Sequence, residues 1–155
     1  MTDLEKIQYK AQLKQFAIAL IGARIAAARQ AIDQAQQAAN SEEKSSAGDK
    51  YETGRAMGHL QKDMHSRQMA EQLKERSAMQ MIHSDVVYLS VAPGAFIQCR
   101  ELSFFLLAGM GKQSIEGQTI YFLSPLAPLA KSLHGKKPGD TFVFSGATAT
   151  ILEVY

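Results

Sequence analysis

The chain has 155 residues and a mass of 17.0 kDa, enough for one ordinary domain or for a small domain plus an extended element that buries little surface. Its net charge of +2 is too small to drive free DNA binding by bulk electrostatics, and the single Cys99 excludes an internal disulfide and a cysteine-built zinc site. No apolar run approaches the roughly 20 residues that cross a membrane, and Met1-Thr2-Asp3-Leu4-Glu5-Lys6 reads as a charged helix start rather than a signal peptide, so a cytoplasmic location without membrane partners is expected.

From Leu4 to Ala39 there is no proline, Gly22 is the lone glycine, and apolar residues recur at Leu13, Phe16, Leu20, Ala23 and Ala27. Steps of three and four mark a heptad seam, which continues through Ala31, Ala35 and Ala38 with shrinking side chains that suit a narrow tip. The polar stretch Asn40-Ser41-Glu42-Glu43-Lys44-Ser45-Ser46-Ala47-Gly48 has turn composition. A helical pattern resumes with Met57, Leu60 and Met64 and runs to Leu73. Two long helices joined by a short turn predict an antiparallel coiled-coil hairpin over residues 1–80, with its tip near 41–52. At about 1.5 Å per residue it would be about 45–50 Å long.

Composition changes near Met81: all four prolines, most glycines and most of the Val, Phe and Leu lie beyond it. The β-branched and aromatic runs at 86–91, 95–99, 102–107, 119–123, 141–144 and 148–154 predict strands, punctuated by Pro93-Gly94, Gly109 to Gly111, Gly117, Pro138-Gly139-Asp140 and Gly146. One helix is expected to interrupt them, with Ser124 as N-cap, Pro125 at its first position, Leu126, Leu129, Ala130 and Leu133 in its body, and Gly135 beyond its end. The expected fold is therefore α+β, a helical hairpin followed over 81–155 by a small, mostly antiparallel β-domain with one short helix.

Asp49-x-x-Glu52 reads in two ways: as a capping box, in which the two side chains satisfy each other's backbone amides, or as two carboxylates offered at a hairpin tip. Glu42 and Glu43 could join them, but Lys44 and Lys50 offset their field and a solvated face is the simpler reading. His65, His83 and His134 have no partner at i+3 or i+4 to build a metal site. No nucleophile elbow, cofactor loop or acid/base pair appears within the second half of the chain, which argues against a free-standing hydrolase or synthase.

The run from Ser124 to Asp140, with its Ser-Pro-Leu start, Leu133-His134-Gly135-Lys136 turn and Gly139-Asp140, together with the final Ile151-Leu152-Glu153-Val154-Tyr155, resembles the closing segment of bacterial transcript cleavage factors of the Gre family. The resemblance extends to the order of hairpin then β-domain, and implies that the latter is FKBP-like. The family's tip carries Gly-Asp-x-x-Glu, which Gly48-Asp49-Lys50-Tyr51-Glu52 keeps. Thr53-Gly54-Arg55 departs from the family's continuation, with Arg55 where a third acidic residue would stand.

The resemblance implies a hairpin that enters the secondary channel of RNA polymerase. Asp49 and Glu52 would then complete the shell of a loosely held Mg²⁺ shared with the polymerase, none being held stably by the free protein, so that the nascent RNA 3′ end of a backtracked complex is cleaved. Arg55, His59 and Lys62, at i, i+4 and i+7, would face the extruded RNA, unless they are simply a solvated face. Ser124 and Pro125 would help dock the β-domain on the channel rim. Two alternatives stand beside cleavage: a channel-binding regulator without cleavage activity, and more remotely an FKBP-like prolyl isomerase or peptide-binding protein.

Overall fold

Helix α1 (Asp3–Glu43) begins at a reciprocal capping box. The Glu5 amide donates to Thr2 Oγ1 at 3.2 Å and the Thr2 amide to Glu5 Oε2 at 2.6 Å, which satisfies two of the amides that every helix start leaves open. In the computed structural model α1 spans Asp3–Glu43 and α2 spans Gly48–Met81. The structure describes the backbone of residues 1–43 and 48–155, and side chains outside 42–51. Strands and a short helix follow: β1 Phe96–Gln98, β2 Ser103–Leu106, β3 Gly111–Ile115, β4 Gln118–Leu123, α3 Pro128–Leu133, β5 Thr141–Phe144, β6 Ala147–Thr150 and β7 Glu153–Val154.

The chain forms two compact units, Met1–Ile18 with Ala78–Tyr155, and Ala19–Ser77. These do not coincide with the composition change at Met81, because the first turns of α1 pack on the sheet. Within the first unit, Tyr9 meets Phe96 edge-on at 5.5 Å and Phe16 lies 6.1 Å from Phe122. Lys6 pairs with Glu153 at 2.6 Å and sits 5.4 Å from the centre of the Tyr155 ring.

The five-stranded sheet has the order β3-β4-β2-β1-β7, with β2 and β4 parallel and its other pairs antiparallel. A separate antiparallel pair, β5 and β6, completes the β-structure. Strand β2 is buried along its whole length, which explains why Ser103-Phe104-Phe105-Leu106 does not alternate: both faces are covered. Phe105 stacks on Phe122 and meets Phe96 on the α1 side. Phe104 and Leu106 join Ile97, Ala130, Leu133, Phe142 and Ile151 in the core on the other side.

Several expectations shift. The expected strand at 86–91 is loop, and an unforeseen β3 forms after Gly109-Met110. It pairs with β4 through Glu116-Gly117, both at positive φ (50° and 78°), as a two-residue type I′ turn requires. Ser145-Gly146 (50° and 76°) joins β5 to β6 in the same manner. The expected run 148–154 splits into β6 and β7, which belong to different sheets.

The short helix also starts later than the sequence pattern suggests, at Pro128 rather than Pro125. Ala127 is extended (φ −63°, ψ 146°) and supplies no side-chain cap, because a residue before proline is driven out of the helical region. Ser124 is therefore not the N-cap. Its Oγ accepts the Leu126 amide at 3.2 Å and its carbonyl accepts the Ala127 amide at 3.0 Å, closing a turn ahead of the helix.

Candidate functional site

In the unit Ala19–Ser77 the two helices run antiparallel, since Gln36 meets Lys62 and Ala39 meets Gly58. The expected turn and the Asp49 side chain lie outside the described residues. Helix α1 continues through Asn40 to Glu43, and Gly48 to Glu52 belong to the first turns of α2. Positions 49 and 52 are thus three apart in a helix, the spacing of surface neighbours, and near an N-terminus, where the helix dipole favours carboxylates. Glu52 is exposed.

The seam lies about one residue round from the expected stripe. On α1 the buried positions are Leu13, Ala17, Ile21, Ile25, Ala35 and Ala39, whereas Phe16, Ala23, Ala27 and Ala38 are exposed. On α2, Gly58 and Met79 are buried while Lys62, His65, Met69 and Gln72 are half-buried. Met57, Leu60 and Met64, expected inside, are exposed at 56%, 68% and 46%. Between Phe16 and Ile32 almost every position is apolar, so several stripes satisfy the period, and the facing helix selects among them.

What selects is close approach. A Cβ placed on Gly58 would lie 3.1 Å from the Ala39 Cβ and 3.6 Å from the Ala35 carbonyl oxygen, so bulk is excluded there and the larger methionine and leucine side chains point elsewhere. Gly58→Ala is expected to change stability by less than about 1 kcal/mol, as helix propensity offsets a small shift. Gly58→Val, by overpacking the contact, should cost about 1–3 kcal/mol, read as earlier thermal unfolding. Equal stabilities of the two variants would count against the close contact.

Of the basic residues behind the first turn, Arg55 and His59 are exposed. Lys62 instead turns across the seam and donates to Gln36 Oε1 at 2.8 Å. Farther along, a groove of about 560 Å³ lies between Ala27, Ala28 and Ala31 of α1 and His65, Gln68 and Gln72 of α2. There Gln72 Oε1 is buried without a hydrogen-bond partner. His65 Nδ1 is 3.3 Å from Gln68 Oε1.

In the first unit, Ser124 and Pro125 are half-buried and the turn they form leaves Leu126 at 77% exposure. Cys99 is buried and its thiol pKa is raised by desolvation, which suppresses the reactive thiolate. Among the described residues no group of three or more His, Cys, Asp or Glu side chains could hold a metal ion. Asp49 and Glu52 can offer two carboxylates to an octahedral Mg²⁺. Two carboxylates are too few to build such a site by themselves.

Sequence reasoning missed the most unusual ionisable residue. Lys10 is fully buried, and its ammonium donates to the Val86 carbonyl at 2.6 Å and the Gly94 carbonyl at 3.2 Å. It also lies 4.8 Å from the centre of the Tyr88 ring, a favourable cation–π placement. Burial lowers its pKa to about 8, with Asp85 acting in the opposite direction. Lys14 reaches the Ile82 carbonyl at 2.9 Å, and the Tyr88 hydroxyl donates to the His83 carbonyl at 2.7 Å. Two α1 lysines therefore hold the segment that leads from α2 into the sheet. The available signal was positional: Lys10 stands three residues before Leu13 and seven before Ala17, on the buried stripe.

Compared with family models, curated proteins and solved structures, the chain matches none of them.

Proposed function

We propose that the protein is a transcription elongation factor that enters the secondary channel of RNA polymerase and stimulates the polymerase's own cleavage of backtracked RNA. The observation that carries this reading is the position of Gly48-Asp49-x-x-Glu52, in the first turns of α2 at the turn end of an antiparallel hairpin. The close Ala39–Gly58 contact supports it, since the two helices approach closely there. On this reading the β-domain is FKBP-like and docks at the channel rim through the Ser124-Pro125 turn with its exposed Leu126. The factor is cytoplasmic, and its partners are the polymerase and the RNA 3′ end, with no free DNA binding.

A Mg²⁺ shared with the polymerase would supply activation of the attacking water and charge stabilisation. Asp49 and Glu52 would hold it from the factor's side. Arg55 would stand near the extruded RNA, where a cation offsets phosphate charge; Lys62 could assist only by leaving Gln36. The chain has no catalytic centre of its own on this reading.

The experiment is incubation of the purified protein with a stalled, backtracked elongation complex. Release of short 3′ RNA fragments is expected, with Asp49→Ala and Glu52→Ala each reducing the rate by at least about tenfold, as loss of a supporting ligand does, while binding to the complex persists. A second reading, a channel regulator without cleavage activity, is favoured by Thr53-Gly54-Arg55. It would be supported by slowed nucleotide addition that Asp49→Ala leaves unchanged, together with absent fragments.

A further inference from the structure

Alternation along the strands gathers polar side chains at one end of the five-stranded sheet, on the face that α1 covers. Phe96, Phe105 and Phe122 mark that face, and residues an even number of positions away in the same strand share it. Gln98 on β1, Ser103 on β2 and Gln118 on β4 therefore stand there together, with Gln98 directly opposite Ser103 in the register. Tyr9 reaches in from α1, its hydroxyl donating to Gln118 Oε1 at 3.1 Å. Tyr155, just beyond β7, exchanges backbone hydrogen bonds with Phe96 and lays its ring 5.1 Å from that of Phe96.

Tyr9, Gln98, Ser103, Gln118 and Tyr155 wall a cleft of about 390 Å³, at the small end of the roughly 300–1,000 Å³ that small-molecule sites occupy. Ser103 is 9% exposed and Tyr155 2%, yet among the described residues neither hydroxyl has a hydrogen-bond partner. Neither is sealed in, since among the described residues Gln72 Oε1 alone is enclosed without a partner; both therefore open on the cleft. Buried polar groups are ordinarily paired, so two open hydroxyls on one wall are left for something that enters. Burial, then Tyr9 and Glu153, raise the Tyr155 pKa, which keeps its hydroxyl protonated and able to donate.

The chemistry of the wall selects the occupant. Hydroxyls and carboxamides both donate and accept, and their complement is a molecule whose own groups do both at several points. An ion would shed its hydration without meeting an opposite charge inside, and at the rim Arg100 is outnumbered by Glu101 and Glu116, which leaves no positive field for a phosphate or a carboxylate. The rings at the floor offer no face on which a planar base could stack, because Phe96 is buried and Tyr155 is covered by Phe96 and Lys6. We propose that this cleft binds a small neutral polyhydroxyl molecule of hexose size, whose hydroxyls pair with the hydroxyls of Ser103 and Tyr155 and with the carboxamides of Gln98 and Gln118.

The test uses the full chain, labelled with ¹⁵N, titrated to tens of millimolar with D-glucose, D-galactose, D-mannose and myo-inositol, and separately with adenosine and inorganic phosphate. At least one of the four polyhydroxyl probes is expected to give saturable amide shifts confined to 98–103, 116–119 and 155, while adenosine and phosphate give none there. Ser103→Ala and Tyr155→Phe should each weaken that binding at least about fivefold, the worth of one hydrogen bond. Each removes a single oxygen that the fold itself leaves unpaired, so the thermal midpoint should stay where it is in the wild-type chain, and a loss of binding is then a loss of contact. The proposal is overturned if none of the four probes gives saturable shifts at those amides, which would leave the cleft to water. Binding of adenosine or phosphate there in place of the polyhydroxyl probes overturns it as well, as does undiminished binding by both variants.

Discussion

Gly94→Ala is expected to destabilise the unit that contains the sheet by about 4 kcal/mol or more, lowering the midpoint of thermal unfolding by about 15 °C. Gly94 has φ +92°, and a Cβ there would fall 2.0 Å from the His83 carbonyl oxygen, 3.0 Å from its carbon and 3.1 Å from the Tyr88 hydroxyl. Backbone is not free to yield as a flexible side chain would. Gly94 is tied from both sides: its amide donates to the Leu106 carbonyl at 2.7 Å and its carbonyl accepts from Lys10.

Conformation alone costs a non-glycine residue about 1–2 kcal/mol in the left-handed region, and overpacking adds about 1–3 kcal/mol or more. Gly117→Ala separates the two contributions. It shares the positive φ (+78°) but has nothing within 4 Å of the added carbon, so only the smaller, conformational loss is expected. Urea unfolding of both variants measures the difference. Equal losses would mean that the joint around His83 and Tyr88 is looser than described.

The second large effect is pH-dependent and belongs to Lys10. Its pKa is about 8 in the folded protein, held down by burial, against roughly 10.4 for an unperturbed lysine. Below pH 8 both states carry the proton, and the penalty for burying the charge is fully present. Between pH 8 and about 10 the folded protein releases a proton that the unfolded chain keeps, so stability rises with pH, by up to about 1.4 kcal/mol per unit.

The rise ends near pH 10. Tyr9, Tyr88 and Tyr155 all have raised pKa values, chiefly through burial, and above that point the unfolded tyrosines ionise first, which lowers stability. The wild-type chain should therefore gain about 2 kcal/mol between pH 8 and 10, whereas Lys10→Met should lack that gain. At pH 7 the same variant should lose about 1–3 kcal/mol, because the Val86 and Gly94 carbonyls are left without their donor. Denaturant unfolding at pH 7, 8, 9 and 10 reads both effects. A wild-type profile parallel to that of Lys10→Met would remove Lys10 as its source.

How much of this was legible in the chain differs between elements. The two long helices were, because the absence of proline and a sustained period of three and four leave no alternative. The class of the second half was also legible, since β-branched and aromatic runs between glycines and prolines suit strands. The seam was legible only as to its period. In Phe16-Ala17-Ile18-Ala19-Leu20-Ile21 every phase of that period is apolar, so the period alone does not choose the buried face, which proves to hold Ala17 and Ile21.

The loop at 86–91 shows the converse. Val86-Val87-Tyr88-Leu89 has strand composition, yet its polar groups are committed elsewhere. The Val86 carbonyl is held by Lys10, the Tyr88 hydroxyl by His83, and Val91 exchanges hydrogen bonds with Lys136 and Gly135. Propensity describes how a residue suits a strand, not whether a neighbouring strand is present to pair with it. The candidate carboxylates follow the same division. Their spacing was evident from Asp49-x-x-Glu52, while their place in the first turns of α2 came from where that helix begins.

Asp49, Glu52, Arg55, Lys62, Ser124 and Pro125 are candidates through the family resemblance, whereas the α+β class, the two long helices and the change of composition at Met81 follow from the chain alone. Local period, turn chemistry and the proline rules act within a few residues, and those features depend on nothing farther away. Which helix face is buried, that Lys62 crosses to Gln36 and that Lys10 is enclosed by two carbonyls and a tyrosine came from packing in three dimensions. Each depends on atoms that are distant in sequence, and shape and hydrogen-bond supply at such contacts are set only when the surfaces meet.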